Sequence, residues 1–194
     1  MNKIVTPEFD LLPGPGGQRS LTYAGVGSRT TPPDVLAEMT RVASRLASMG
    51  YTLRSGGAQG ADLAFEAGAG RNKDIFPGSA RAGAREHAIA REVHPSPYAL
   101  DRSRNPGFVW NLMARNTNQV FGRHLDSPVD FVLCWTPDGA EHHFERTRAT
   151  GGTGQAIEMA SRKGIPVINM NRAGWEERLA RCLDRVGRPA QKLI

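Results

Sequence analysis

The stretch Arg54-Ser55-Gly56-Gly57-Ala58-Gln59-Gly60-Ala61-Asp62 follows a short β-like run, Tyr51-Thr52-Leu53, and precedes a helix-like run through Leu63, Ala64, Phe65 and Ala67. A strand that empties into a glycine cluster and then a helix is a natural anion site. Glycine lets the backbone come close to a phosphate, and the free N–H groups of the helix start point at it. Thr150-Gly151-Gly152-Thr153-Gly154-Gln155 opens a later helix in the same manner, and Gly25-Val26-Gly27-Ser28-Arg29 closes the first strand. Three such junctions in one chain imply a ligand with phosphates, or a phosphodiester backbone.

Reading outward, strands and helices alternate. Strands are expected at Leu21–Val26, Tyr51–Ser55, Lys73–Pro77, Val129–Trp135 and Ile165–Met170. Val129–Trp135 is nearly all apolar, as suits a strand covered on both faces. Helices are expected from Pro32 to Met49 (ended by Gly50), from the glycine cluster to about Ala69, and over 81–93. Others are expected over 107–121, to Lys163, and over 174–187. Residues 94–106 and 136–150 read as loops. The alternation predicts an α/β fold, a single doubly wound, Rossmann-like, mostly parallel sheet with helices on both faces. Ligands in such folds lie beyond the carboxyl ends of the strands, where the three glycine turns all fall. Residues 1–20, with Pro7, Pro13, Gly14, Pro15, Gly16 and Gly17, read as an irregular arm, and 21–194 as one domain.

Composition narrows the class. The chain has 194 residues, 39% hydrophobic and 23% charged, ordinary for a soluble globular protein. No apolar run approaches the ~20 residues needed to cross a bilayer, and Met1–Thr6 lacks the apolar core of a signal peptide. Cys134 and Cys182 form no metal-like pair, so a reducing, cytoplasmic setting is expected. The net charge of +6 favours anionic partners, although the arginines are scattered rather than run together.

Within the loops, Ser28 can donate to a phosphate and Arg29 can bind one through its planar fork. The first turn is not a dinucleotide fingerprint, since Thr30 stands where the third glycine belongs. Gly27, Ser28, Arg29, Ser55, Gly56, Gly57, Gln59, Gly60, Gly151, Gly152, Thr153 and Gly154 are candidate phosphate-loop residues, with Asp62 placed to cap amides or hold a ribose hydroxyl. Glu158 falls near the positive end of a helix dipole, where it can act as base or stabilise charge at an anomeric carbon; an exposed helix glutamate is the plainer reading. Arg115-Asn116-Thr117-Asn118 interrupts an apolar helix face and needs partners, in a ligand or in neighbouring backbone. His142-His143 reads as a solvated loop rather than a metal site.

These motifs resemble a known superfamily. Gly27-Ser28-Arg29, Ser55–Asp62 and Arg115-Asn116 look like the Rossmann-like core of DNA-processing protein A (DprA/Smf). The Gly151-Gly152-Thr153-Gly154 turn with Glu158 is similar to the glycine motif of the LOG phosphoribohydrolases, also called lysine-decarboxylase-like. Both belong to the SLOG group of nucleotide-ligand domains, and the resemblance spans about residues 21–170. It implies binding of a nucleotide or nucleotide-derived phosphate ligand in a shared crevice. It also implies two alternatives: a single-stranded-DNA-binding recombination mediator, as in the DprA group, or a nucleoside-monophosphate N-glycosidase with Glu158 and Arg115 catalytic, as in the LOG group. Pairing of domains into a homo-oligomer is implied as well; no metal, cofactor or membrane is. The chain departs from the LOG pattern at Thr150, Gln155 and Ile157, and from the DprA pattern at Thr117.

Overall fold

The computed structural model describes residues 20–95 and 97–186. The expected arm, but for residue 20, lies outside them. The described chain builds strands β1 (Thr22–Gly27), β2 (Thr52–Ser55), β3 (Lys73–Ile75), β4 (Phe131–Trp135) and β5 (Val167–Asn169). The helices are α1 (Pro33–Ser48), α2 (Ala61–Ala69), α3 (Ala84–Val93), α4 (Pro97–Asp101), α5 (Pro106–Phe121), α6 (Gly154–Arg162) and α7 (Trp175–Arg185). The strands form one five-stranded sheet in the order β3-β2-β1-β4-β5, and every pairing is parallel. β1 is central, and the order reverses beside it, which opens a crevice at the carboxyl ends of β1 and β4.

Strand alternation divides the core into two layers. Tyr23, Leu53, Phe131, Leu133 and Trp135 face one side and pack with Met39, Val42 and Leu46 of α1, Phe65 of α2, and Leu179 and Leu183 of α7. Ala24, Val26, Val132 and Cys134 face the other, against Val93 of α3, Val120 of α5, and Ile157 and Met159 of α6. Tyr23 stacks on Phe131 at 5.6 Å and meets Phe65 edge-on at 6.3 Å. The sheet is thus doubly wound, as the alternation of elements predicts. Two local expectations need correction. Residues 94–106 contain α4, and 136–150 contain the 3₁₀ turn His143–Glu145 and the start of a second, Arg148–Thr153. Prolines suggest loop in the first segment, but Pro97 occupies the opening position of α4, where its missing N–H costs nothing. No helix among the described residues is long and apolar enough to cross a membrane.

The first layer is closed by contact of backbone on backbone. A Cβ on Gly68 of α2 would lie 2.1 Å from the Thr40 carbonyl oxygen of α1, while the Thr40 hydroxyl donates to the Ala64 carbonyl at 3.0 Å. Gly68 therefore sets the α1–α2 spacing, and the helices cannot absorb a methyl without separating. Gly68→Ala is expected to destabilise the fold by about 1–3 kcal/mol despite alanine's better helix propensity. A urea-unfolding midpoint equal to or above wild type would show that the contact is not limiting.

Candidate functional site

The first two strand-to-helix loops meet because glycine lets them. A Cβ on Gly27 would come 2.6 Å from the Ala61 Cβ, and one on Gly60 2.7 Å from the Ser28 carbonyl oxygen. The start of α2 therefore abuts the end of β1, and the Ala61 N–H donates to the Ser28 carbonyl at 3.4 Å. Gly60 adopts φ +85°, a conformation side chains disfavour, so the turn into α2 depends on glycine twice over. On the other flank, α5 approaches so closely that a Cβ on Gly56 would fall 2.6 Å from the Gln119 amide nitrogen.

Between these elements lies a cleft of about 350 Å³. Gly27, Ser28 and Arg29 form one wall, and Thr150, Gly151, Gly152 and Thr153 at the approach to α6 form a second. Leu112, Met113, Asn116 and Gln119 of α5 form a third, with Ala58 and Asp62 at the base. Arg29 is exposed and makes no hydrogen bond or ion pair with another described residue, so its guanidinium is available to an anion. Gly151, at φ 60° and ψ −149°, turns the chain where nothing lies within 4 Å of a built Cβ. The Asn116 amide reaches the Gly152 carbonyl at 3.5 Å and accepts from Gln119 at 3.2 Å, linking α5 to the third loop.

Asp62 has a distinctive place. It is buried at the cleft base and accepts the Gly56 N–H at 3.2 Å and the Ala58 N–H at 3.3 Å. The amides expected to cradle a phosphate in the second loop are therefore taken by the protein's own carboxylate. Burial raises the Asp62 carboxyl from its ordinary 3.8 to about 6, against the pull of these amide bonds.

The structure distributes the expected residues unevenly. Gly27, Ser28, Arg29, Asp62, Asn116, Gly151, Gly152 and Thr153 line the cleft together. Ser55, Gly56, Gly57, Gln59 and Gly60 lie off the lining; Ser55 donates to the Gly25 carbonyl at 2.7 Å and ties β2 to β1. Gly154 also lies off the lining, where its missing side chain makes room for Arg146, 2.8 Å from a built Cβ. That arginine determines the place of Glu158. The Glu158 carboxylate is buried outside the lining, with one oxygen on Arg146 and the other on Arg162 Nε at 2.6 Å. Arg115 also points away from the cleft. It donates to Asn118 at 2.8 Å and stands over the Phe76 ring at 5.4 Å. Glu158 and Arg115 are thus not brought together at the cleft: one is paired with two guanidiniums and the other turned toward Phe76, and neither is among the lining residues.

Leu112, Met113 and Gln119 are cleft residues that the sequence reading did not assign. The signal was present, since Leu112, Asn116 and Gln119 fall at i, i+4 and i+7 on one helix face. Thr117 and Asn118 are buried instead, and Asn118 donates to the Gly122 carbonyl at 3.1 Å. Around the cleft, the long β4–α6 loop is pinned. Asp138 accepts from the Thr147 N–H at 3.3 Å, the Thr147 hydroxyl at 2.7 Å and the Thr150 hydroxyl. Burial would raise the Asp138 carboxyl, but these hydroxyl bonds, with one from Thr136, outweigh it and hold the group well below the usual range. Glu145 caps the Glu141 and His142 amides and meets Arg172 at 2.7 Å. His142 lies parallel to the Phe144 ring at 5.1 Å. Among the described residues, no group of three or more His, Cys, Asp or Glu is placed to hold a metal ion.

No protein-family model matches the chain, and neither does any curated protein. Among solved structures, the chain is similar to DNA processing protein A from Helicobacter pylori, studied for its single-stranded DNA binding mode. The TM-score is 0.50 at 16% identity, over 95% of this chain and 86% of that one. The fold is DprA-like. At this identity the likeness concerns architecture, and it does not extend to the LOG-type glycine motif.

The raised Asp62 carboxyl has a defined stability signature. At pH below 3.8 residue 62 is protonated in both folded and unfolded chains, and its contribution is fully present. As pH rises toward about 6 the unfolded chain gives up the proton while the folded chain keeps it, and that stability is lost. Wild type minus Asp62→Asn unfolding free energy, from urea titrations between pH 4 and 7, is expected to decline by on the order of 2–3 kcal/mol. Asp138 contributes in the opposite sense, losing stability as pH falls, but is common to both proteins and cancels. A flat difference would show that Asp62 is ionised without penalty.

Proposed function

We propose that the cleft binds a nucleotide or nucleotide-derived phosphate ligand. One observation carries this reading: a free guanidinium, a glycine-rich helix approach and an apolar helix face converge on a single crevice. Arg29 and the backbone of Gly151–Thr153 supply charge and donors for the phosphate. Leu112 and Met113 supply a flat apolar surface for a base. Asp62, with its oxygens facing amides at the cleft base, suits a sugar hydroxyl rather than a second phosphate. A cleft of about 350 Å³ is at the lower end of ordinary ligand sites, in keeping with one nucleotide unit.

A second reading treats that unit as part of a single DNA strand. The DprA-like fold and the +6 net charge favour it. Both readings use Arg29, so ligand choice and salt separate them. A strand neutralising several phosphates loses affinity steeply with salt, whereas a mononucleotide held by one arginine and by amides loses much less. The N-glycosidase reading lacks support from the geometry, because Glu158 is held by two arginines away from the crevice.

Calorimetric titration with a panel of nucleoside mono-, di- and triphosphates, and with oligothymidylate, tests the proposal. Arg29→Ala is expected to weaken the bound ligand by about tenfold or more, the worth of one charge-assisted contact. Glu158→Gln is expected to leave binding near wild type wherever the protein stays folded. Failure of every nucleotide and of the oligonucleotide to bind below millimolar concentration would remove both readings.

A further inference from the structure

A second hollow lies at the free edge of the sheet, where β5 begins. Its volume is about 210 Å³, and its walls are Pro166 just before β5, Val167 and Ile168 of β5, and Arg178, Arg181, Cys182 and Arg185 of α7. It shares no lining residue with the cleft. The arginines fall at i, i+3 and i+7, on one face of α7. Arg178 is committed: it donates to Glu141 at 3.0 Å and to the Ala173 carbonyl at 2.8 Å. Arg181 and Arg185 are exposed, and neither makes a hydrogen bond or ion pair with a described residue. No carboxylate lines the hollow.

The strand edge adds main-chain chemistry. On either side of β5 the Pro166 carbonyl accepts from the Val132 N–H, and the Met170 N–H donates to the Cys134 carbonyl, both at 2.8 Å. Residues 166, 168 and 170 therefore address β4, and the alternation of a parallel strand turns Val167 and Asn169 outward. The outward Asn169 N–H is covered by Glu141 at 2.8 Å. The edge thus leaves one residue, Val167, with its N–H and carbonyl presented beside the two uncommitted guanidiniums.

We propose that this edge receives an extended acidic peptide segment of a partner protein. The segment lies alongside β5, exchanges main-chain hydrogen bonds with Val167, and sets carboxylates against Arg181 and Arg185. Charge complementarity selects the occupant: alternate carboxylates meet α7, and the intervening side chain, turned to the other face of the sheet, is aliphatic to suit Val167. Because only one edge residue is open, the arginine contacts carry most of the affinity. The inference stands apart from the nucleotide reading of the cleft.

The test uses fluorescence anisotropy with a short labelled peptide of alternating glutamate and valine, added to the whole protein. The peptide is expected to bind, and to bind about tenfold or more weakly to R181E/R185E, the loss of one to two charge-assisted contacts. The same peptide with glutamine for glutamate is expected to lose affinity similarly. Val167→Pro, which removes only an outward N–H at an edge position that tolerates proline, is expected to weaken binding further. Circular dichroism and the urea-unfolding midpoint report whether each variant stays folded, and R181Q/R185Q replaces the charge reversal if it does not. Equal binding of the glutamine peptide, indifference to the arginine substitutions, or unaltered binding by Val167→Pro overturns the proposal. So does absence of peptide binding, or displacement of the peptide by inorganic phosphate or oligothymidylate with the same arginine dependence, which gives the hollow to phosphate ligands.

Discussion

The architecture of the site depends on how closely α2 can approach the end of β1. Gly25 admits Leu53 and Phe65, whose atoms would lie 2.6 and 2.8 Å from a Cβ there, and Gly27 admits Ala61. Gly60 lets the second loop lie across Ser28 and Arg29. These contacts place the first two loops side by side and hold Asp62 beneath them. Side chains at any of these positions would push α2 outward and widen the crevice. The glycines expected to face a phosphate thus serve the join between helix and sheet.

The same principle of internal satisfaction recurs around the crevice. Asp62 occupies amides of the second loop, and the Ser28 hydroxyl accepts the Thr30 N–H at 3.1 Å. Glu158 is shared by two arginines, and Asp138 gathers the hydroxyls of the third loop. Buried or half-buried polar groups cost free energy unless paired, so each carboxylate has collected donors from its own chain. What stays uncommitted is correspondingly informative. Arg29 in the cleft, and Arg181 and Arg185 at the sheet edge, are among several described arginines that the fold does not use, and these three line hollows.

Much of the fold was legible because it rests on period and punctuation. An unbroken apolar run marks β4 as buried on both faces, and Gly50 ends a helix whose apolar spacing is plain. The convergence of the glycine turns follows from parallel topology, which puts every strand-to-helix turn at one end of the sheet. Side-chain direction was harder to read. Glu158 has the spacing of a site residue, yet its direction is set by Arg146, twelve positions earlier in a loop whose course the sequence does not reveal. Arg115 and Asn116 are adjacent on α5, and the 100° between successive helix residues sends one toward Phe76 and the other into the cleft. Gln119 escaped notice because its importance lies in its contact with Gly56, far away in the chain.

The anchoring of the β4–α6 connection has a kinetic consequence. With Asp138 at one end, Glu145 and Arg172 midway and the Thr147–Thr150 bond at the other, this segment is a fixed wall rather than a door. On the proposed reading of the crevice, a small anion would meet a ready-formed surface. Its arrival rate would then be governed by diffusion, orientation and the attraction of Arg29, and differences in affinity among such ligands would be expressed in how long each one stays.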